Sequence, residues 1–582
     1  MRKATIGCML VFALSVAAQS TDFEKFREQQ RASFSQFRDN QQDKYDAFRQ
    51  RVNAEYAEFM RAAWAEFPVS EAEVPEPEPK VEPVIFDEDV EGQKSTRSDR
   101  PEERKVKGQR SESGEEVESG ETRPSKSPLL GGLADSTEVE TQETDSEAET
   151  NWSFSFRSGK EEGQKSTRSD RPEERKVKSQ REERGKSREI KAEGKVAVVP
   201  KATPAPAPIA PVAVSKTADR KDIEISYYGR TITIGFPLTD RLRLQGLNED
   251  ALADAWTLLA GKPYDISVKT ALDARSAFQL CDWAYMDALR MACEGHYGAG
   301  NEAVLMQAFL MTQSGYRVRL AKAGERLFML VASKYQIYNM RYLNVDGTKY
   351  YVTGDYHGEK LQLCPSRFDK EQSLSLQMVA LPKLGETASP KRKLTSKKGV
   401  TASVSVNRQL IDFFRRYPQA NIDGDFTTRW AAYANTPLDQ AIQDELYPPL
   451  RQTIRGMSER EAVGILLNWV QTAFKYGYDD EVWGGDRAFF VQETLFYPQS
   501  DCEDRAILFS RLVRDLTGLD VALIYYPGHL AAAVAFSGEE EGDWFNCGGQ
   551  RFVVCDPTYI NAPVGLTMPG MDNQKAKIIL LR

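Results

Sequence analysis

The stretch Asp501-Cys502-Glu503-Asp504-Arg505-Ala506-Ile507-Leu508-Phe509-Ser510-Arg511-Leu512-Val513 decides how the C-terminal part of the chain is read. Cys502, Ala506, Phe509 and Val513 recur at helical spacing, so they form one buried stripe that begins with a thiol. Gly518 stops the helix, and strands are predicted over 521–526, 529–536, 544–546 and 551–556. A cysteine at a helix start faces unpaired backbone N–H groups, which favour the thiolate. Glu503 and Asp504 would oppose that effect if they faced the sulfur, but helix geometry is expected to turn them away from it. His529 opens an alanine-rich strand and shares a face with Ala531, Ala533 and Ala535. This small face is expected to admit the helix closely and bring Cys502 within hydrogen-bond reach of His529. Asp556 closes the last strand, where it can hold the second imidazole nitrogen.

Upstream, Ser458 and Glu461 form a capping box that starts a helix carrying Ile465, Leu466, Trp469 and Phe474. An insert over 476–499 then leads to Cys502. Further back, 223–234 reads as a hairpin turning at Tyr228-Gly229. Helices are predicted over 249–259, 270–291, 301–312 and 408–415. Strands are predicted over 316–320, 327–332, 350–353 and 400–406.

The N-terminal third is different in kind. Arg2 and Lys3 precede a short apolar run from Ile6 to Val16 and small residues to Ser20, the pattern of an export signal over 1–20. That run is too short to anchor in a bilayer, and no later segment is apolar enough to span one. The mature chain is expected to be exported, to the periplasm or the extracellular space. Over 21–67, Phe23/Phe26, Phe34/Phe37, Tyr45/Phe48 and Tyr56/Phe59 recur every eleven residues, which predicts a long helix with one aromatic stripe. The stripe serves self-association, coiled-coil or intramolecular packing, or docking of another partner. Residues 68–221 read as a disordered linker. They contain an identical charged block at 91–107 and 162–178, a hydrophobic island at 152–156 and an Ala/Pro spacer at 201–214.

With 582 residues, 41% hydrophobic and 28% charged, the chain must fold as several domains, and its net charge of −9 argues against a nucleic-acid partner. Six cysteines remain beyond the signal, without metal-ligand spacing, and only three histidines are present. No metal and no cofactor is expected.

The stretch 438–582 resembles the transglutaminase-like superfamily, a papain-like cysteine fold. The resemblance rests on the cysteine that opens a core helix (Asp501-Cys502-Glu503-Asp504-Arg505-Ala506), the histidine before an apolar strand (Gly528-His529) and the Asp556-Pro557 pair after a strand. It implies a Cys502-His529-Asp556 triad, an acyl-enzyme intermediate, and an oxyanion hole using the Cys502 N–H and one side-chain donor. Gln499, Gln492 and Trp483 are the donors the preceding insert offers. The region 222–360 follows a similar order of elements, with Ala299, Gly300 or Asn301 at the cysteine position and Arg326 at the histidine position. It is read as a degenerate copy without a nucleophile.

The expected architecture is therefore α+β: a long N-terminal helix, a disordered linker, an α+β domain over 222–360, a connecting β/α segment over 361–437, and a papain/transglutaminase-like domain over 438–582. The activity expected is hydrolysis or transfer of acyl groups on peptide or protein substrates. Cross-linking ranks behind hydrolysis because it demands a site that excludes water. The alternative is a non-catalytic binding or scaffold protein of the cell envelope.

Overall fold

In the computed structural model, helix α1 (Arg2–Met60) runs unbroken through the N-terminal region. Described are residues 2–71, 80–86, 188–190, 196–199, 201–214, 219–365 and 370–581. The charged block at 91–107 and 162–178 and the island at 152–156 lie outside them, as do the side chains of the apolar run from Ile6 to Val16. The aromatic stripe does not pack as a unit. Arg49, Asn53, Tyr56, Ala57, Met60 and Trp64 form the buried face, whereas Phe34 and Phe37 are 69% and 62% exposed. Asn53 fixes that face: its Oδ1 accepts from Trp256 Nε1 at 3.1 Å and from Gln313 Nε2 at 2.8 Å. Two buried donors are thus satisfied by one side chain.

The chain then builds the same five-strand arrangement twice. The first follows helix α2 (Asn301–Gln313) and comprises β1 (Val318–Ala323), β2 (Arg326–Ser333), β3 (Arg341–Val345), β4 (Thr348–Val352) and β5 (Leu361–Leu363). The second follows helix α3 (Glu459–Ala473) and helix α4 (Cys502–Thr517) and comprises β6 (Asp520–Tyr526), β7 (His529–Ala535), β8 (Asp543–Cys547), β9 (Gln550–Cys555) and β10 (Lys577–Leu580). The first sheet is ordered β5-β1-β2-β4-β3 and the second β10-β6-β7-β9-β8, with every neighbouring pair antiparallel. Strand order and direction agree throughout.

Both sheets have their edges covered by strips from earlier in the chain, which removes open edges as pairing templates. Ala65–Phe67 pairs with β5 and Val69–Glu71 with β3, so one strip kinked at Pro68 joins both edges of the first sheet. In the second sheet, Arg188–Glu189 pairs with β8 and Ala197–Val198 with β10, both parallel. The interval 68–221, expected as a disordered linker, therefore supplies ordered edge strands. Its Ala/Pro spacer forms no helix or strand over 201–214 and is pinned to the folded part. Arg275 Nη2 donates to Pro206 O at 2.9 Å, Gln372 Nε2 to Pro204 O at 3.0 Å, and Ile209 N to Gln313 O at 3.0 Å. Proline-rich backbone has few donors but keeps its carbonyls, and two of these three bonds use them.

The hairpin pairs Arg220–Tyr227 with Arg230–Pro237 through Tyr228-Gly229, both at positive φ. Glu249–Leu259, Arg408–Arg415 and the Ser458/Glu461 capping box stand as predicted. The helix expected over 270–291 is instead two, Asp265–Ala277 and Asp282–Tyr297. Gln279 breaks it at φ +49°, a conformation the apolar pattern does not reveal. Among the described residues no helix is long and apolar enough to cross a membrane.

Candidate active site

Helix α4 begins at a pair of aspartates. Asp501 N donates to Asp504 Oδ2 at 3.2 Å, Asp504 N donates back to Asp501 Oδ1 at 3.5 Å, and Gly518 at φ +76° ends the helix. Cys502 is its first residue and is 2% exposed.

The hairpin β6–β7 turns through Pro527-Gly528, with Gly528 at φ +75° supplying the left-handed conformation that brings His529 opposite Tyr526. His529 Nε2 and Asp556 Oδ2 lie 2.9 Å apart, both residues fully buried. Asp556 is held from behind: its Oδ1 accepts from the N–H groups of Thr558 at 2.9 Å and Tyr559 at 3.2 Å. The loop that carries it is held by Gln471 of α3, whose Nε2 lies 3.0 Å from Asp556 O, 2.8 Å from Tyr559 O and 3.1 Å from Ala562 O. The second ring nitrogen, His529 Nδ1, is buried and has no hydrogen-bond partner among the described residues.

Cys502 is brought beside this pair but is not bonded to it. Its Sγ lies 3.5 Å from Glu503 Oε2 and also meets the backbone N–H of Leu530, the residue after His529. The reason is the pleat. Leu530, Ala532, Val534, Val553 and Cys555 share the buried cluster of Cys502, Ala506, Phe509 and Val513. Ala531, Ala533 and Ala535 instead pack with Phe545, Phe552 and Val554 on the far side. The alanine face was expected to receive the helix; it faces the Phe545/Phe552 stack. His529 and Asp556 share that far-side parity, so they approach the sulfur only around the strand ends.

Glu503, expected to be turned away from the sulfur, lies against it because its carboxylate also pairs with Lys80 and Arg429, and from there an acidic cradle extends around the Lys80 ammonium. Lys80, from a segment far back in the chain, places Nζ 3.1 Å from Asp479, 3.3 Å from Asp486 and 3.2 Å from Glu503 Oε2, and also against Asp501. Arg429 Nη2 lies 3.5 Å from Glu503 Oε1, and Arg429 also pairs with Asp486. Burial raises Asp479 to about 6 and Asp501 and Glu503 to about 7, despite the Lys80 charge that lowers each. Burial also pushes the Cys502 thiol well above its ordinary value, and Asp501 and Glu503 add to it. For Lys80, burial opposes the charge but Glu503 and Asp501 prevail, so the ammonium is held protonated. Asp479, Asp486 and Glu503 bring carboxylate oxygens within 4.8 Å of one another, as do Asp479, Asp501 and Asp504. That spacing suits a divalent cation, but the Lys80 ammonium sits among the same oxygens.

Of the three side-chain donors expected for an oxyanion hole, Gln492 donates to Pro437 O at 2.9 Å. Trp483 packs edge-on to Tyr497 and Phe489, with the Arg487 guanidinium 4.9 Å from its ring centroid. Gln499 lies against Gly477, beside the Lys475–Gln499 and Tyr476–Ser500 pairing. Tyr476 places near the thiol a buried hydroxyl that sequence reasoning missed. Its hydroxyl is buried without a partner among the described residues, and Cys502 is a close electrostatic neighbour. The aromatic insert before Cys502 was the only signal for it. Lys80 had none. Cys281, Cys293, Cys502, Cys547 and Cys555 are free thiols.

Comparison with protein-family models, with curated proteins and with solved structures found no match to this chain.

Proposed function

We propose that the chain is an exported cysteine-dependent acyl-transfer enzyme, transglutaminase-like in its C-terminal domain and acting on peptide amides. The observation that carries this reading is the buried His529–Asp556 pair: its free Nδ1 belongs to the residue next to the Leu530 N–H that the Cys502 sulfur meets. The reaction requires Cys502 and His529 to turn toward each other until Sγ and Nδ1 share a hydrogen bond. The thiol proton then passes to Nδ1, and the sulfur attacks the carbonyl carbon. A thioester forms as the C–N bond breaks, and the leaving amine takes the proton. Water or a second amine releases the acyl group. Tyr476 and the backbone N–H groups at the start of α4 are the donors available to the oxyanion.

The second reading, a non-catalytic binding protein, is favoured by one observation: the thiol is bonded to Glu503 and held neutral. A single experiment separates the two. Full-length protein is treated with an activated ester of a short peptide, and adducts are mapped by mass spectrometry. The enzyme reading expects an acyl adduct on Cys502 that forms about 10²–10⁴ times more slowly in His529→Ala. An absence of Cys502 adduct both in the wild type and in Phe86→Ala, which trims the segment carrying Lys80 where Phe86 N donates to Ile560 O just past Asp556, leaves the binding protein.

A further inference from the structure

Residues 80–86 (Lys80-Val81-Glu82-Pro83-Val84-Ile85-Phe86) cross both loops that carry the buried pair. Val81 N donates to Gly528 O at 3.1 Å, immediately before His529. Four residues past Asp556, Ile560 N donates to Val84 O and Phe86 N to Ile560 O, each at 2.8 Å. Val81, Val84 and Phe86 pack onto Tyr559, Ala562 and Met568, while Ile85 between them is 66% exposed. This is the form in which an extended peptide is read: backbone pairing along its length and alternate side chains in pockets. At its head the Lys80 ammonium enters the cradle of Asp479, Asp486, Asp501 and Glu503, and shares Glu503 Oε2 with the Cys502 sulfur.

The pairing is unlike the packed elements around it. No regular strand is formed, and Ile85 makes one isolated bridge to Ile560. Four carboxylates around one ammonium, two of them beside the thiol, are poor company for a nucleophile but form a selective pocket for a primary ammonium. Each buried charge there is tolerable only with a cation in place.

We propose that the crevice beside Cys502 is a binding site for an extended peptide presenting a lysine side chain. Residues 80–86 occupy it in cis as a releasable stand-in and so close the thiol to acyl substrates. The peptide site stands on this geometry; its role as a gate rests on the acyl-transfer reading of Cys502.

The test uses full-length protein carrying Cys502→Ser, so that binding is read without chemistry. A fluorescent peptide with the sequence of residues 80–86 is titrated by anisotropy into that background and into the same background with Lys80→Ala or Phe86→Ala. Phe86→Ala keeps the ammonium among the carboxylates and guards against misfolding in Lys80→Ala. Binding is expected to be at least about tenfold tighter once the resident segment is loosened. It should also be at least about tenfold weaker when the peptide lysine is acetylated, which removes the charge the cradle reads. Equal binding of the acetylated peptide, or no binding to either folded variant, overturns the site. In the native-thiol background, Phe86→Ala should speed iodoacetamide alkylation of Cys502 about tenfold or more; an unchanged rate overturns the gate. Peptide binding without any Cys502 acylation would retain the site and discard the enzyme. Acylation without peptide binding would do the reverse.

Discussion

The two five-strand regions differ least in topology and most at three positions. Asn301 opens α2 as Cys502 opens α4, and Arg326 opens β2 as His529 opens β7. Three residues beyond Arg326, Thr353 N donates to Met329 O at 2.9 Å, just as Cys555 faces Ala532 in the second sheet. Gly354 then stands where Asp556 does. The hydrogen bonds make the correspondence chemical. Asn301 Oδ1 accepts from Leu327 N at 2.8 Å, and the Cys502 sulfur meets the N–H of Leu530, the equivalent residue. Asn301 Nδ2 also donates to Glu325 O at 3.0 Å. Where the second region exposes a thiol to its turn, the first region ties the turn down with an amide. Arg326 reaches the carbonyl of Asp355 and, at 3.2 Å, Glu359, so it too has become a brace. One scaffold therefore carries the arrangement proposed to react and one that braces its turn. The difference lies in side chains that cost the fold little.

The sharpest way to break this comparison is to remove matched side chains. Cys502→Ala should abolish acyl-adduct formation at that position and leave thermal stability within about 1 kcal/mol, since the sulfur makes no hydrogen bond the fold needs. Asn301→Ala should do the opposite: adduct formation unchanged, and stability reduced by about 1–3 kcal/mol because Leu327 N–H and Glu325 O lose their partner. Denaturant melts and adduct mapping on both variants measure this. A Cys502→Ala protein that unfolds, or an Asn301→Ala protein as stable as wild type, would dissolve the contrast between a chemical and a structural position.

A second comparison concerns matched glycines. Gly315 follows α2 and Gly518 follows α4, each eleven residues before the first residue of the second strand and each at positive φ, +94° and +76°. A Cβ at Gly518 meets open space, so Gly518→Ala should cost only the left-handed strain, about 1–2 kcal/mol. A Cβ at Gly315 would lie 2.1 Å from Ala207 O in the pinned Ala/Pro strip. Gly315→Ala must therefore also displace that strip, and a loss of about 3 kcal/mol or more is expected in urea melts. Equal losses would mean that the strip is not held there.

Much of this was legible in the sequence, and the omissions have physical causes. Capping chemistry gave the Ser458 helix its start, and alternation gave β6, β7 and β9, because those signals are local. The pairing of His529 with Asp556 was legible from order and strand ends. The face met by α4 was not. Alternation fixes which residues share a side, but Ala531, Ala533 and Ala535 suit a close helix and the Phe545/Phe552 stack equally well. The strips at 65–71, 188–189 and 197–198 join by backbone hydrogen bonds, which place no demand on side chains. Lys80 lies 421 residues from Asp501, and nothing near a lysine in a polar run announces a buried partner so distant.

The smallest expected difference between the regions is their response to pH. The first has the neutral Asn301 amide at its helix start, and the second has a buried cluster of Asp479, Asp486, Asp501, Glu503 and Asp504 facing Lys80, Arg429, Tyr476 and Cys502. Asp479 at about 6, and Asp501 and Glu503 at about 7, lie above the unfolded carboxylate range near about 4. The folded state then keeps protons that the unfolded state has released. Stability from these groups is full below about pH 4 and is lost as pH rises through about 6–7. Asp479→Asn removes one such group without touching the helix cap. It should flatten the fall in stability between pH 5 and pH 8 by on the order of 1 kcal/mol, whereas Glu359→Gln, beside Arg326 in the first region, should leave it unchanged. A fall that is as steep in Asp479→Asn as in wild type would move the proton uptake elsewhere. The cradle would then be fully ionised around Lys80, and the ammonium would be held by charge at every pH the protein meets.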